Sequence, residues 1–438
     1  MKKSLSLLII SALVLGLFIA GAGLFPAALT SQELPTPQEM WRDIKKTLPP
    51  LFFNMEKDET VTSLTDPARK LRRLEVSFLS QVYEGVEMVH KAVIYLPADP
   101  PINKRPGFHG RVVIVATRSF DDSMELNYAE PIAARTGYPT MCLDLPTDYP
   151  GEEGESPWLR RFRARAAETG DPGYHDFIRL AIPYLQGLDI LADILKETNI
   201  RAVIGGHSKR AYYAYTAAAM DPARIASVIF MGCERLYYRE EFPKAINPFH
   251  TQSYVRCPVF YIGATNEGGY EMFNINEIQE RMTDTWAIEY IPNYRHASNS
   301  ERQFLNWPMW VAHIFNSRPI TTISDMSFKE TETGTRFRAR IDSPNTLILV
   351  KAWFVYCDDV PFWRDLVWYP ADMKTKGENI YECHVNGTSP DAWFIEVKDT
   401  AMGFQGYISS LPMDITGKPT KERTHTGPAG RHWTPKKK

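Results

Sequence analysis

The chain has 438 residues, 44% of them hydrophobic and 23% charged, with a formal net charge of −2. This is an ordinary globular composition whose length predicts about two domains plus appendages. The near-neutral balance supplies no basic face of the kind that binds nucleic acid, so no nucleic-acid partner is expected.

Lys2 and Lys3 precede an uncharged, largely apolar run over residues 4–32. A charged start followed by such a run is the layout of an export signal, with Ala20 and Ala22 offering a small-residue cleavage site. The run is also long enough to span a bilayer as a retained anchor. Either outcome exports the body of the protein to the periplasm or medium, the second with membrane attachment through residues 4–32.

Residues 33–72 read as a polar helical lead-in punctuated by Pro35, Pro37, Pro49 and Pro50. Strands are predicted at 74–78 and 92–96, in a hairpin-like arrangement. Short apolar runs then alternate with helical segments. Strands are expected at 112–116, 139–145, 202–205, 226–231, 259–262 and 287–291. Helices are expected at 124–135, at 176–196 with a kink at Pro183, at 210–220 and at 302–315. That alternation specifies an α/β domain over 33–318, a mostly parallel sheet covered on both faces.

After Pro319 the helical period disappears. Strand-like runs at 328–330, 336–341, 347–356, 364–369, 380–385, 393–397 and 404–410 predict a small β-sandwich over 319–415. Residues 416–438, basic and poor in aliphatics, read as a disordered tail. The five cysteines show no metal-ligand spacing, and no metal is expected. Cys142, Cys233 and Cys257 read as core residues, whereas Cys357 and Cys383 are either a disulfide or two separate buried thiols.

Residues 203–210, Val-Ile-Gly-Gly-His-Ser-Lys-Arg, join a predicted strand to a predicted helix. That is the setting of a nucleophile elbow, where a tight turn projects a serine oxygen from the sheet edge and small residues flank it. Gly206 meets the requirement before Ser208; Arg210 stands where a second glycine is usual. Ser208 as a simple helix cap is the competing reading. In this fold the acid and histidine come after the serine in chain order. His296, just past the strand at 287–291, is in the place of the general base, or is an ordinary loop histidine. The acid is expected near Asn266, where only Glu267 carries a carboxylate; Glu234 is the other choice. His207 is expected to point away from the cavity. Oxyanion donors are expected at the Lys209 N–H and at Thr117, Arg118 or Ser119, directly after strand 112–116, Arg118 being the choice there. Residues 147–175, with Arg160, Arg161, Arg163 and Arg165, are a lid whose arginines attract an acidic substrate group, or a solvated charged helix.

Gly205-Gly206-His207-Ser208-Lys209-Arg210, Cys257-Pro258-Val259-Phe260-Tyr261-Ile262-Gly263 and Tyr290-Ile291-Pro292-Asn293-Tyr294-Arg295-His296 together resemble the PhoPQ-activated pathogenicity-related family. Residues 80–83 and His90 resemble its entry strands, and the likeness covers most of residues 35–410. The resemblance implies an exported α/β-hydrolase fold with a Ser–acid–His arrangement and no cofactor. The chain departs from that pattern at His207 and Ala211, where the family tends to have glycine, and at Asn266, where it tends to have aspartate.

The residues support two functional readings. One is a serine hydrolase, esterase or peptidase in type, acting on a small-molecule or peptide substrate through Ser208, His296 and Glu267. The other is a catalytically silent hydrolase-fold binding or signalling protein, favoured by Asn266.

Overall fold

The computed structural model describes the chain outside residues 1–33, 99–106, 118–121, 146–151, 153–156, 233–245, 247, 268–274, 277–285, 358–364, 416–425, 428–430 and 433–438. Residues from Thr36 onward form one compact unit. Its spine is a nine-stranded sheet in the order β1-β2-β3-β5-β4-β6-β7-β8-β9. The strands are β1 (Phe53–Thr62), β2 (Lys70–Tyr83), β3 (Val86–Pro97), β4 (Arg111–Thr117) and β5 (Thr140–Asp144), then β6 (Arg201–His207), β7 (Ile225–Met231), β8 (Val259–Ala264) and β9 (Trp286–Ile291). β1 to β3 run antiparallel and β3 is antiparallel to β5, while β4 to β9 are mutually parallel. This is the sheet of an α/β hydrolase, and the expected fold class is found.

The parallel strands are apolar along nearly their whole length because both of their faces are covered. Ile114, Ile204, Val228 and Phe230 face one layer, packed with α4 (Ile182–Leu195) and α5 (Lys209–Met220). Val113, Val115, Val203 and Ile229 face the other, packed with α2 (Glu130–Thr136) and α6 (Glu301–Asn316). Two more helices, α1 (Pro37–Lys45) and α3 (Pro157–Thr169), belong to the α/β part. A capping box between Ser300 and Gln303 starts α6, and one between Thr36 and Glu39 starts α1.

The lead-in differs from expectation, because residues 53–62 form β1. That strand, FNMEKDETVT, lies at the sheet edge and is mostly exposed, so no apolar alternation marks it. The helix expected at 176–196 is not kinked but divided. A short helix, Asp176–Arg179, ends before Pro183, which occupies the first turn of α4, where its missing N–H costs nothing.

Beyond α6 the chain builds two antiparallel sheets. One has the order β10-β11-β15-β14 and the other β13-β12-β16-β17, with β18 paired to β16. Their strands are β10 (Thr322–Thr331), β11 (Gly334–Asp342), β12 (Thr346–Val355), β13 (Tyr369–Asp372), β14 (Lys374–Gly377), β15 (Ile380–Asn386), β16 (Ala392–Ala401), β17 (Phe404–Ser409) and β18 (Met413–Asp414). Phe337 of one sheet packs on Trp393 of the other with ring centroids 4.6 Å apart, inside a core that includes Ile341, Val350, Ile395 and Val397. The sandwich is not free on its outer side. Trp353, Val355, Trp368 and Phe394 join the core of the α/β part, so β16 is buried on both faces. Of residues 416–438, Thr426–Gly427 pairs with Arg431–His432. Cys357 and Cys383 are not joined by a disulfide to each other. Among the described residues no helix is long and apolar enough to cross a membrane.

Candidate active site

β6 runs straight into Ser208, and α5 begins at the next residue. Ser208 has φ 60° and ψ −128°, a backbone that L-residues avoid, and its side chain makes no capping hydrogen bond. An N-cap serine takes an extended backbone and uses its oxygen on the helix, so Ser208 is not working as a cap. Its N–H donates to Met231 O at 2.9 Å, and its carbonyl accepts from Ala211 N at 3.0 Å.

The turn is this tight because two glycines permit it. A β-carbon at Gly205 would sit 2.3 Å from Ile229 O, and one at Gly206 would sit 2.6 Å from Arg210 Cβ. The buried Tyr184 hydroxyl reaches both Gly205 O (3.1 Å) and Arg210 O (3.0 Å), bracing the turn from α4. Arg210 is buried and directs Nη2 at Leu145 O (3.4 Å).

β8 ends at Ala264 and leads to Thr265, Asn266 and Glu267; β9 ends at Ile291 and leads through Asn293 to His296. Glu267 is buried, and its Oε1 lies 2.6 Å from His296 Nδ1, while the imidazole is partly exposed. The N–H direction is off the oxygen, and neither carboxylate oxygen receives an aligned hydrogen bond among the described residues. The approach of the two side chains is set by the loops that carry them. The Thr265 N–H donates to Ile291 O (3.1 Å) and the Asn266 N–H to Tyr294 O (3.0 Å). The Asn293 N–H donates to Thr265 Oγ1 (2.8 Å), and Tyr294 and Asn299 close the same loop through a 2.6 Å hydrogen bond.

The elbow and the histidine loop meet at His207. Its ring lies against that of His296, with centroids 4.4 Å apart and planes 39° from parallel. The expectation that His207 turns away is thus corrected. Burial, with His296 and Arg210 nearby, pushes the His207 pKa down to about 3, so it stays neutral. The ring fits because residue 232 is glycine at φ 60°; a β-carbon there would stand 2.3 Å from His207 Nε2.

Glu267 and His296 are thus brought together, and Lys209 stands at the first position of α5. Arg118 and Glu234 lie outside the described residues, as does Cys233. Three of the lid arginines are held by close ion pairs, which supports the solvated-helix alternative. Arg161 pairs with Glu84 (2.6 Å), Arg163 with the buried Asp176 (2.8 Å) and Arg165 with Glu168 (2.8 Å), while Arg160 lies 3.7 Å from Glu152. Burial alone would raise the Asp176 pKa; His175 and Arg163 outweigh it and draw it down to about 2. A Ser–His pair away from the elbow, Ser80 Oγ to His90 Nε2 at 2.8 Å, is buried between β2 and β3. Its Nδ1 is spent on Asp144 O, a carbonyl rather than a carboxylate. No cluster suited to a metal ion occurs among the described residues.

No protein-family model and no curated relative matches the sequence. Among solved structures, a cold-adapted esterase from an Arctic intertidal metagenomic library is 17% identical, covering 60% of this chain and 99% of its own, with a TM-score of 0.42. Acetyl xylan esterase 1 from a Thermoanaerobacterium species is 15% identical, covering 63% and 92%, at 0.44. An S-formylglutathione hydrolase from Agrobacterium tumefaciens is 14% identical, covering 60% and 99%, at 0.45. Likeness of this degree carries no argument about chemistry.

Proposed function

We propose that this chain is an exported serine hydrolase that cleaves an ester or amide bond of a small-molecule or peptide substrate, with Ser208 as nucleophile. The observation that carries the reading is the 2.6 Å approach of the buried Glu267 carboxylate to His296 Nδ1, on the loops after β8 and β9. Ser208, at the same carboxyl edge of the sheet, has the strained backbone of an elbow and a side chain not used as a cap. Export and membership in the PhoPQ-activated pathogenicity-related family are proposed on the N-terminal run and the 205–210 motif.

In this reading Glu267 holds the Nδ1–H tautomer of His296, leaving Nε2 to take the Ser208 proton as Oγ attacks the acyl carbon. The oxyanion is received by the Lys209 N–H at the start of α5, and Arg118, outside the described residues, is the second donor proposed from the sequence. His296 then protonates the departing alcohol or amine. A water molecule repeats the sequence to release the acid and restore Ser208. Asn266 does not force the catalytically silent reading, because the next residue supplies the carboxylate.

Fluorophosphonate labelling of the chain from Glu33 onward tests the proposal. Labelling that disappears in Ser208→Ala and His296→Ala is expected. A folded wild-type protein that takes no label refutes it and leaves the binding-protein reading.

A further inference from the structure

We propose that the C-terminal β-sandwich positions the acid and base of this site through a clasp made by two asparagine carboxamides, Asn266 and Asn293. The inference rests on reading Glu267 and His296 as acid and base. Asn266 Nδ2 donates to Leu366 O at 2.6 Å, across 100 residues of sequence. Asn293 pairs with Trp368 twice: Nδ2 donates to Trp368 O, and Trp368 N–H donates to Oδ1, both at 2.8 Å. The two asparagines are joined to each other through Thr265, whose hydroxyl accepts from the Asn293 N–H and donates to Asn266 Oδ1 at 2.7 Å. One acceptor–donor network therefore runs from the sandwich through both loops.

The anchor is firm. Leu366 and Trp368 are 4% and 1% exposed, and the Trp368 ring packs edge-on against Phe394 of β16, with centroids 5.2 Å apart. Asn293 sits at φ 54°, a left-handed backbone that asparagine tolerates better than most residues. Glu267 directly follows one clasp residue, and His296 comes three residues after the other. A 2.6 Å contact without an aligned hydrogen bond depends for its geometry on where these loops are pinned.

The chemistry of the partners also accounts for the residue types. Leu366 O and Trp368 O are carbonyls and only accept, so each needs a donor opposite it. A carboxylate at 266 or 293 would set acceptor against acceptor. Asn266 is thus a positioning residue rather than a vestigial acid, and the two ideas predict opposite results for Asn266→Asp.

The test uses the full exported chain and p-nitrophenyl acetate. For Asn266→Asp and, separately, Asn293→Asp, kcat is expected to fall about 10- to 100-fold with KM changed less than about twofold. The melting temperature serves as a control for folding. An Asn266→Asp variant as active as wild type, or more active, overturns the clasp, as does a loss confined to KM. Should wild type take no fluorophosphonate label, the hydrolase reading fails on its own. The clasp is then judged from the His296 ring resonances, assigned by His296→Ala. Resonances displaced in Asn293→Asp are expected, and unmoved resonances overturn it.

Discussion

Glu289 on β9 and Glu396 on β16 are both fully buried, and Arg302 of α6 lies within reach of both. Arg302 pairs with Glu396 through two nitrogens and stacks over Tyr407 at 4.3 Å, leaving its Nη1 3.6 Å from Glu289. Glu289 Oε2 accepts from Asn306 Nδ2, whose Oδ1 in turn accepts from Tyr407 N at 2.7 Å. Burial dominates at Glu289. Arg302 offsets it only in part, Glu396 adds to it, and the pKa is pushed up to about 8 from an ordinary 4.5.

The linkage has a definite sign. Between pH 4.5 and pH 8 the folded state holds a proton that the unfolded chain has lost, so stability falls as pH rises across that window. Each full unit costs about 1.4 kcal/mol, and allowing for partial titration near the top, the loss from pH 6 to pH 8 is about 2 kcal/mol. Urea unfolding of wild type and Glu289→Gln at pH 6, 7, 8 and 9 measures it. The glutamine variant keeps the shape and the Asn306 contact but cannot ionise, so its stability should be flatter over this range. Equal pH slopes for the two proteins would refute the reasoning.

Three further outcomes bear on the site. Ser208→Gly, which relieves the backbone at φ 60°, should raise unfolding stability by about 1 kcal/mol while abolishing fluorophosphonate labelling; a less stable variant would mean the turn is not strained. Glu267→Gln removes the charge facing His296 Nδ1 and should lower kcat by on the order of 10³ to 10⁴, with the fold intact by circular dichroism; a loss under tenfold would give the acid role to another residue. Gly232→Ala places a methyl 2.3 Å from His207 Nε2 at a positive φ; a cost of about 1 to 3 kcal/mol in urea unfolding, together with lost activity, is expected.

Much of the fold is legible because the parallel strands announce themselves. Runs such as Arg-Val-Val-Ile-Val-Ala-Thr in β4 and Ile-Ala-Ser-Val-Ile-Phe-Met in β7 are apolar along nearly their whole length, since both faces are covered, and helices separate them. β1 is not legible, because an exposed edge strand with Glu56, Lys57, Asp58 and Glu59 reads like a polar helix or loop. Nor does local sequence tell that β16 packs on two layers. Ala-Trp-Phe-Ile-Glu-Val alternates poorly for a half-exposed sandwich strand, and its double burial appears only when the sandwich meets the α/β part.

The same division holds at the site. In a parallel sheet, the loop leaving the carboxyl end of one strand lies beside the loop leaving its neighbour, so chain order translates into neighbourhood. That is why Glu267 and His296, 29 residues apart and on different loops, could be paired from sequence and are found 2.6 Å apart. Hydrogen bonds from those loops to Leu366 and Trp368 obey no such rule. Their partners lie 75 and 100 residues downstream in the irregular segment just before β13, and the atoms they touch are main chain, which leaves no mark on residue type at 366 or 368. The mark falls on the donors instead, as asparagine at 266 and 293. Read locally, Asn266 looks like an acid that has been lost; read with its partner, it is a donor that a carbonyl requires. A departure from a family pattern is therefore evidence about catalysis only after the atoms facing the substituted side chain are known.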